Sequence, residues 1–225
     1  MSAAKRVALP VLRQRVPLLL EQLVRLYPEI GTALHFRNPF ELLVATILSA
    51  QCTDVQVNKI TPALFARFPT PASIAAATVA DVIPYVKSTG FFRNKAKNIH
   101  ATAVKLLAEF DGEVPRTLAE LVTLPGAGRK TANVVLGDAF GTTGITVDTH
   151  VGRLSRRLGL TRHTNPVKAE FALNKLIPQE EWTRFSHRLI LHGRALCMAR
   201  NPKCEVCPLA VLCPKRGVKK KRPTR

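Results

Sequence analysis

Acidic residues are scarce in this chain. Its 225 residues include 15 Asp and Glu against 34 Lys and Arg, which leaves a formal net charge of +19 and a sequence pI near 10.5. Such an excess of positive charge favours a polyanionic partner, because contacts to phosphates release condensed counterions and so drive association. The balance therefore indicates nucleic acid first. An anionic membrane surface and a packaging role on ribosomes or chromatin are the alternatives.

Long apolar runs are also missing. No stretch approaches the roughly 18 consecutive apolar residues that a helix needs to span a bilayer, so the sequence predicts no integral membrane protein. The basic start is interrupted by Pro10, Arg13 and Arg15 before an apolar export segment can form, which argues against secretion. We therefore expect a protein of the reducing cell interior.

Cysteine is sparse outside one segment. Four of the five cysteines lie between Cys197 and Cys213, with the spacing C-x6-C-x2-C-x5-C. In a reducing compartment this crowding indicates a metal centre rather than disulfides. Structural zinc usually needs two close-spaced pairs, and only Cys204 and Cys207 form one, so the spacing favours an iron–sulfur cluster, with zinc as the alternative. The six histidines form no competing ligand pattern.

The alternating pattern of β-strands is absent as well. Apolar residues instead recur three and four positions apart, which predicts helices. The clearest segments are residues 16–27, 40–48, 99–110 and 182–197. Short breaks with Pro or Gly separate such segments, so we predict an all-α chain of short helices with brief connections.

The C-terminal end differs from the rest. Residues 215–225 contain seven Lys and Arg and no apolar periodicity, which predicts a disordered basic tail. Two roles for it are open: it keeps the protein soluble, or it adds affinity for phosphates without regard to base sequence.

The most informative segment follows a predicted helix that ends near Thr123. The turn Leu124-Pro125-Gly126-Ala127-Gly128 leads at Thr131 into a second helical pattern, which gives helix, tight hairpin, helix. Two glycines one residue apart let the backbone turn and leave N–H groups uncovered at a helix N-terminus, where an anion such as a DNA phosphate is favoured. Taken alone, Gly-x-Gly is equally compatible with a simple helix–helix turn.

The motif L-P-G-A-G-R-K of residues 124–130 resembles the helix-hairpin-helix element of the DNA glycosylase superfamily, and most closely that of the endonuclease III family. The cysteine spacing, S-A-Q-C-T-D at 49–54 and V-D-T-H at 147–150 resemble this family too. The likeness extends from about Leu18 to Pro214. It implies a two-domain helix-hairpin-helix glycosylase fold. A six-helix domain at 32–142 and an iron–sulfur cluster domain formed by 1–31 and 143–225 would hold a DNA-binding cleft between them.

The resemblance implies that Lys130 attacks C1′ of the deoxyribose, expels the base and forms a Schiff base, after which elimination nicks the strand. An amine attacks only when unprotonated, which burial or the positive potential of Arg129 and the helix N-terminus would favour. A phosphate or solvent contact is the simpler role for Lys130. Asp148 is implied to assist the lysine or stabilise the charged sugar. Its place before the helical pattern of 151–158 also predicts an N-cap.

The family also implies contacts that hold a flipped-out nucleotide. Gln51 would fill the vacated space in the duplex, and Phe91 would act as a second wedge against the opposite strand, unless it is an ordinary core residue. Cys52, beside the glutamine, is expected to pack as an isolated thiol. The expected DNA-binding residues are Gln51, Phe91, Leu124, Gly126, Gly128 and Arg129.

The implied function is a bifunctional DNA glycosylase and AP lyase of base-excision repair. It would remove oxidised pyrimidines from double-stranded DNA and act on abasic sites, as a cytoplasmic, nucleoid-associated, prokaryotic-type monomer. The implied cofactor is a [4Fe–4S] cluster bound by Cys197, Cys204, Cys207 and Cys213. The cluster would fold a loop whose basic neighbours meet the DNA backbone: Arg194, Arg200 and Lys203.

Two alternatives are open, one a related enzyme and the other a protein of a different class. An adenine-mismatch glycosylase shares the hairpin and the cluster, but it lacks the lysine nucleophile, carries a catalytic carboxylate on an early helix and usually has a further C-terminal domain. Residues 42–48 contain no carboxylate here. A non-catalytic helix-hairpin-helix DNA-binding protein would need the hairpin and the positive charge only. It would not need Lys130 and Asp148 together.

Overall fold

The computed structural model describes residues 9–142 and 144–218, and the regular elements within these ranges are all helical. The all-α prediction is confirmed. The α-helices are α1 (Leu9–Leu26), α2 (Pro39–Leu48), α3 (Asp54–Arg67), α4 (Pro71–Ala75), α5 (Val79–Val86), α6 (Phe92–Glu109), α7 (Leu118–Leu121), α8 (Arg129–Phe140), α9 (Thr149–Arg157), α10 (Pro166–Asn174) and α11 (Trp182–Ala195). Two 3₁₀ turns, Lys87–Thr89 and Gln179–Glu181, precede α6 and α11.

The described residues divide into two compact units. One spans Thr32–Gly144 and contains α2 to α8. The other combines the described residues up to Gly31 with those from Ile145 onward. Within the described residues the first unit has seven α-helices, two of which, α4 and α7, are only about one turn long, whereas the family resemblance implies six. The predicted domain roles stay predictions.

The first unit is built around α2. Every residue from Phe40 to Leu48 is buried, and a helix that is apolar all round belongs in the centre of a core. Helices α3, α6 and α8 pack against it. Asn38 caps its start by accepting a hydrogen bond from the Glu41 N–H at 2.9 Å, and Pro39 supplies a first residue that needs no hydrogen-bond acceptor.

The second unit joins two distant parts of the chain. Val16, Leu19 and Leu23 form the buried face of α1, and they share a core with Phe185 and Leu189 of α11. Burial of such side chains contributes about 1.5–3 kcal/mol each relative to exposure.

Residues 215–218 correct one prediction. The sequence assigns them to a disordered tail, whereas Arg216 N–H donates to the Arg157 carbonyl at 3.1 Å and Val218 N–H donates to the Lys215 carbonyl at 3.1 Å. A charge count cannot reveal these backbone bonds, because one partner lies 59 residues earlier. The rest of the predicted tail, residues 219–225, lies outside the described residues.

Candidate active site and iron–sulfur centre

The hairpin between α7 and α8 is fixed to the first unit from two sides. Thr102 of α6 donates from its hydroxyl to the Pro125 carbonyl at 2.7 Å. Gly126 has a φ of +78°, in the left-handed region, and a Cβ there would lie 3.0 Å from the Asn98 side chain. Glycine is therefore required at 126 on both counts. The turn is a rigid platform for the start of α8.

The predicted DNA contact of the Leu124 side chain is wrong. The sequence places it among the DNA-contacting residues, but its side chain is only 2% exposed and packs in the core of the first unit. Its N–H donates to the Leu121 carbonyl at 3.2 Å and its own carbonyl accepts from Ala127 N–H at 3.0 Å. A motif alignment cannot separate residues that contact a ligand from those that anchor the turn. Leu124 anchors the hairpin.

The N-terminus of α8 carries the residues next to the hairpin. Gly128 is its N-cap with extended backbone, and among the described residues no side chain caps it. The first helical N–H bond is made by Ala132, which donates to the Gly128 carbonyl at 3.0 Å. The preceding N–H groups and the helix dipole give this end a positive potential. Arg129 and Lys130 are the first two residues of the helix.

Lys130 is exposed, whereas Arg129 is half-buried. The Lys130 side chain is therefore accessible, and it lies within the positive potential of the helix N-terminus. An exposed amine next to a potential phosphate site is open to a bound sugar. Lys130 belongs to the first unit and Asp148 to the second.

Asp148 forms the predicted N-cap of α9. Its Oδ1 accepts a hydrogen bond from Val151 N–H at 2.7 Å, so the capping prediction is confirmed. His150, the second residue of the same helix, has its pKa lowered by burial, while the Asp148 charge raises that pKa and the Arg153 charge lowers it. A capping bond holds the carboxylate in one orientation, which is what a catalytic group needs.

Gln51 and Phe91 share two unusual properties. Both are exposed, and both have left-handed backbone, with φ of 53° and 48°. Phe91 is 66% exposed, so the alternative prediction that it is a core residue is wrong. Non-glycine residues adopt this conformation rarely, and only when their surroundings impose it. Cys52 packs half-buried against the first core, as expected.

The four clustered cysteines line one cavity in the second unit. None is in a disulfide, and all four are half-buried. Burial raises the pKa of Cys207 and of Cys213, and the neighbouring thiols raise both further. Two buried thiols whose ionisation is opposed by neighbouring thiols suit a positively charged core that neutralises thiolate ligands. The donor set therefore fits an iron–sulfur cluster.

N–H groups surround these sulfur atoms. Arg157 Nη1 lies 3.2 Å from Cys197 Sγ, and Lys215 N–H donates to Cys213 Sγ at 3.3 Å. Such hydrogen bonds stabilise cluster thiolates. Among the described residues, no three His, Cys, Asp or Glu side chains are gathered closely enough to hold a single metal ion. The cluster assignment rests on the donor set and on the family match given below.

Sequence reasoning missed His192. Its Nε2 lies 3.4 Å from Cys207 Sγ, and its Nδ1 lies 3.1 Å from the Tyr27 hydroxyl. The histidine is buried on the face of α11 that also buries Phe185 and Leu189. That three- and four-residue spacing could have placed His192 on the buried face of α11, but it does not show which residues lie against that face.

Comparison with known proteins decides the family. Residues 44–179 match the HhH-GPD superfamily base excision DNA repair protein family, and residues 197–213 match the iron-sulfur binding domain of endonuclease III. Endonuclease III of Synechocystis sp. is 56% identical over 203 residues, which cover 90% of this chain and 93% of the relative. The chain belongs to the endonuclease III family.

Two solved structures extend this result. A non-covalent endonuclease III–DNA complex has a TM-score of 0.85 and 45% identity, and the match covers 90% of this chain and 95% of that chain. A trapped endonuclease III–DNA covalent intermediate also has a TM-score of 0.85 and 45% identity, with coverage of 90% and 96%. The predicted glycosylase fold is confirmed.

Membership of the endonuclease III family establishes the activity. The protein is a bifunctional DNA glycosylase and AP lyase of base-excision repair, its partner is DNA and its cofactor is a [4Fe–4S] cluster. The zinc, mismatch-glycosylase and non-catalytic alternatives are set aside. No helix among residues 9–142 and 144–218 has both the length and the apolar character to cross a membrane.

Proposed function

We propose that Lys130 is the nucleophile of both reactions and that the substrates are oxidised or ring-damaged pyrimidines in duplex DNA, together with abasic sites. The observation that carries the proposal is the exposed Lys130 at the start of α8, two residues after the Gly128 cap. The trapped covalent complex of a relative supports a covalent path. Family membership supports the class of lesion.

The proposed chemistry begins with the lone pair of Lys130 Nζ. It attacks C1′, the glycosidic bond breaks, and its electron pair leaves with the damaged base, which takes up a proton. Opening of the sugar ring gives a protonated Schiff base. Loss of a C2′ proton then expels the 3′ phosphate, and water releases the lysine.

Asp148 would assist this sequence with its fixed carboxylate. The group either accepts the proton that the attacking amine loses or stabilises positive charge on the sugar in the transition state. The 2.7 Å capping bond from Val151 N–H supports this role, because it leaves the second carboxylate oxygen, Oδ2, outside the bond.

The proposed DNA contacts are of two kinds, phosphate binding at the hairpin and insertion of side chains into the duplex. Gly126, Gly128 and Arg129 would hold a phosphate at the hairpin, where backbone N–H groups and positive potential favour an anion. Gln51 would hydrogen-bond within the space left by the flipped nucleotide, and Phe91 would wedge a base step apart. The exposure of both side chains supports these roles.

The cluster would be held by Cys197, Cys204, Cys207 and Cys213. When bound, it supplies a rigid ligation centre for a loop rather than reaction chemistry. The side chains of Arg194, Arg200 and Lys203 are exposed around it, and each would add sequence-independent phosphate affinity. We propose a monomer in the bacterial cytoplasm, associated with the nucleoid, which the bacterial relative and the net charge support.

Borohydride reduction tests the nucleophile and the substrate together. The protein is mixed with a duplex that contains one oxidised pyrimidine, and in parallel with a duplex that contains one abasic site. We expect a reduced protein–DNA adduct with both, mapped to Lys130 by peptide mass spectrometry. Lys130→Ala should give no adduct and no nick while it still binds the duplex.

Lys105→Ala is the matched control, because Lys105 lies on α6 in an ion pair with Glu109 and outside the proposed site. It should form the adduct normally. An adduct with the abasic duplex alone would refute the proposed lesion class and keep the nucleophile. An undiminished adduct in Lys130→Ala would refute the nucleophile.

A further inference from the structure

Lys95 is a buried lysine that the proposed chemistry does not use. It lies in the first turn of α6, and its residue is 4% exposed. Its Nζ donates to the Leu48 carbonyl at 2.8 Å and to the Thr89 carbonyl at 2.5 Å. Lysine is almost never fully buried without partners. Both of these partners are main-chain carbonyls, so backbone dipoles hold this charge.

The two carbonyls occupy equivalent positions at two helix ends. Leu48 is the last residue of α2, and Thr89 is the last residue of the 3₁₀ turn before α6. Carbonyls at such ends lack helical donors and carry the negative end of the dipole, so an ammonium group is a suitable partner. Lys95 therefore ties together two chain segments that are 41 positions apart.

Each tied segment leads directly into one of the exposed, left-handed residues. Gln51 follows Leu48 by three positions, and Phe91 follows Thr89 by two. The backbone N–H of Lys95 also donates to the Phe91 carbonyl at 3.1 Å. The loop that carries Phe91, residues 90–91, is therefore held at both ends by Lys95: its side chain binds the Thr89 carbonyl and its backbone N–H binds the Phe91 carbonyl.

Burial destabilises the positive charge of the Lys95 ammonium group. Burial lowers the pKa of Lys95, and the Cys52 thiol raises it by a smaller effect. A buried ion is often replaceable by an apolar side chain with little loss of stability. Because an apolar side chain could fill the same space, packing alone does not explain why a lysine occupies position 95.

We propose that Lys95 is a positioning residue that locks the Gln51 and Phe91 loops into one rigid pair, so that both side chains enter the duplex together. The inference rests on the proposed DNA contacts of those two residues. Left-handed backbone persists only where the surroundings impose it, and Lys95 supplies that constraint for both loops at once. Preorganisation of this kind removes an ordering cost from DNA binding and holds the lesion in a reactive position.

A mutant cycle tests the proposal. Base release from a lesion duplex is measured under single-turnover conditions for the wild type, Lys95→Met, Gln51→Ala with Phe91→Ala, and the triple variant. Misplacement of a positioning group slows reactions by about 10- to 100-fold, and we expect Lys95→Met to fall in that range. In the background that lacks both inserting side chains, the same substitution should have almost no further effect.

Three further measurements distinguish a positioning role of Lys95 from a general loss of structure. Lys105→Met removes the same charge from the same helix and should release base at the wild-type rate. Nicking of a single-stranded abasic oligonucleotide needs no insertion, so Lys95→Met should retain it. A 2-aminopurine placed opposite the lesion should show less unstacking with Lys95→Met than with the wild type.

Equal effects of Lys95→Met in both backgrounds would overturn the inference, because a merely structural role is additive. If Lys95→Met does not fold, Lys95→Gln, which keeps a hydrogen-bond donor but removes the charge, is run through the same cycle, and its slowing of base release should likewise disappear in the background that lacks both inserting side chains. Full base release by the Gln51→Ala, Phe91→Ala variant would instead refute the proposed DNA contacts on which the inference rests.

Discussion

Asp148 accepts a hydrogen bond from the backbone N–H of Val151 at 2.7 Å. The same carboxylate that is proposed to act on the sugar therefore also starts α9. A capping role needs only an acceptor oxygen, whereas proton transfer or charge stabilisation needs the carboxylate. Substitutions can separate these two demands.

We predict that Asp148→Asn keeps the fold and loses the reaction. Asparagine caps helices about as well as aspartate, so the free energy of unfolding should change by only a few tenths of a kcal/mol, whereas Asp148→Ala should cost about 1 kcal/mol. Base release should fall by about 100-fold or more in both variants. Urea unfolding and single-turnover kinetics on the same preparations check this. Normal kinetics in Asp148→Asn would leave Asp148 with a capping role alone.

Phe91 and Leu124 give a second contrast, since the sequence groups them as DNA-contacting residues. Leu124→Ala creates a cavity in a core and should lower the free energy of unfolding by about 2–5 kcal/mol. Phe91→Ala removes an exposed side chain and should change it by no more than about 0.5 kcal/mol. Its effect should appear instead as slower base release. Equal destabilisation by the two substitutions would contradict the assigned environments.

Iron content provides a third prediction. Purified protein should be yellow-brown with about four irons per chain. Cys204→Ser should lower the iron content and loosen the loop around the cluster, which limited proteolysis between residues 197 and 213 detects. Cys52→Ser is the matched control and should retain all the iron, because Cys52 packs in the other core. A full iron complement in Cys204→Ser would remove that cysteine from the ligand set.

A fourth prediction concerns pH. Burial lowers the pKa of His150 from its reference value of 6.5, against the charge of Asp148 and together with the charges of Arg153 and Arg194. The unfolded chain then binds more protons than the folded protein just below pH 6.5, so stability falls as the pH drops through that value and levels off below the folded pKa.

The matched variant for this effect is His150→Gln. Between pH 7.5 and 5.5 the urea midpoint of the wild type should fall further than that of His150→Gln, since the variant lacks the titrating group. Comparing the two proteins under identical conditions cancels effects of acid on the cluster. Parallel pH profiles would rule out a role for His150 in the acid sensitivity.

Local signals explain what the sequence predicts well. The boundaries of α2 and the Asp148 cap depend on neighbours within four positions, and apolar period and cap chemistry reveal both. The sequence misses the first seven residues of α6, 92–98, where the buried Lys95 interrupts the apolar period. His192 and Arg216 are misjudged for a related reason, since their partners Tyr27 and Arg157 lie far away along the chain. No local pattern encodes such pairs.

The contact between α1 and α11 also has a consequence for synthesis. The apolar face of α1 packs beside Phe185 of α11, and Arg15 of α1 donates to the carbonyl of Leu158, the C-cap of α9, at 2.5 Å across 143 positions. At roughly 5–20 residues per second of translation, the first helix waits for about ten seconds or longer before its partner leaves the ribosome. The middle of the chain can collapse meanwhile. Slower translation of the last third of the chain should therefore prolong the exposure of the apolar face of α1 and increase the binding of chaperones to it.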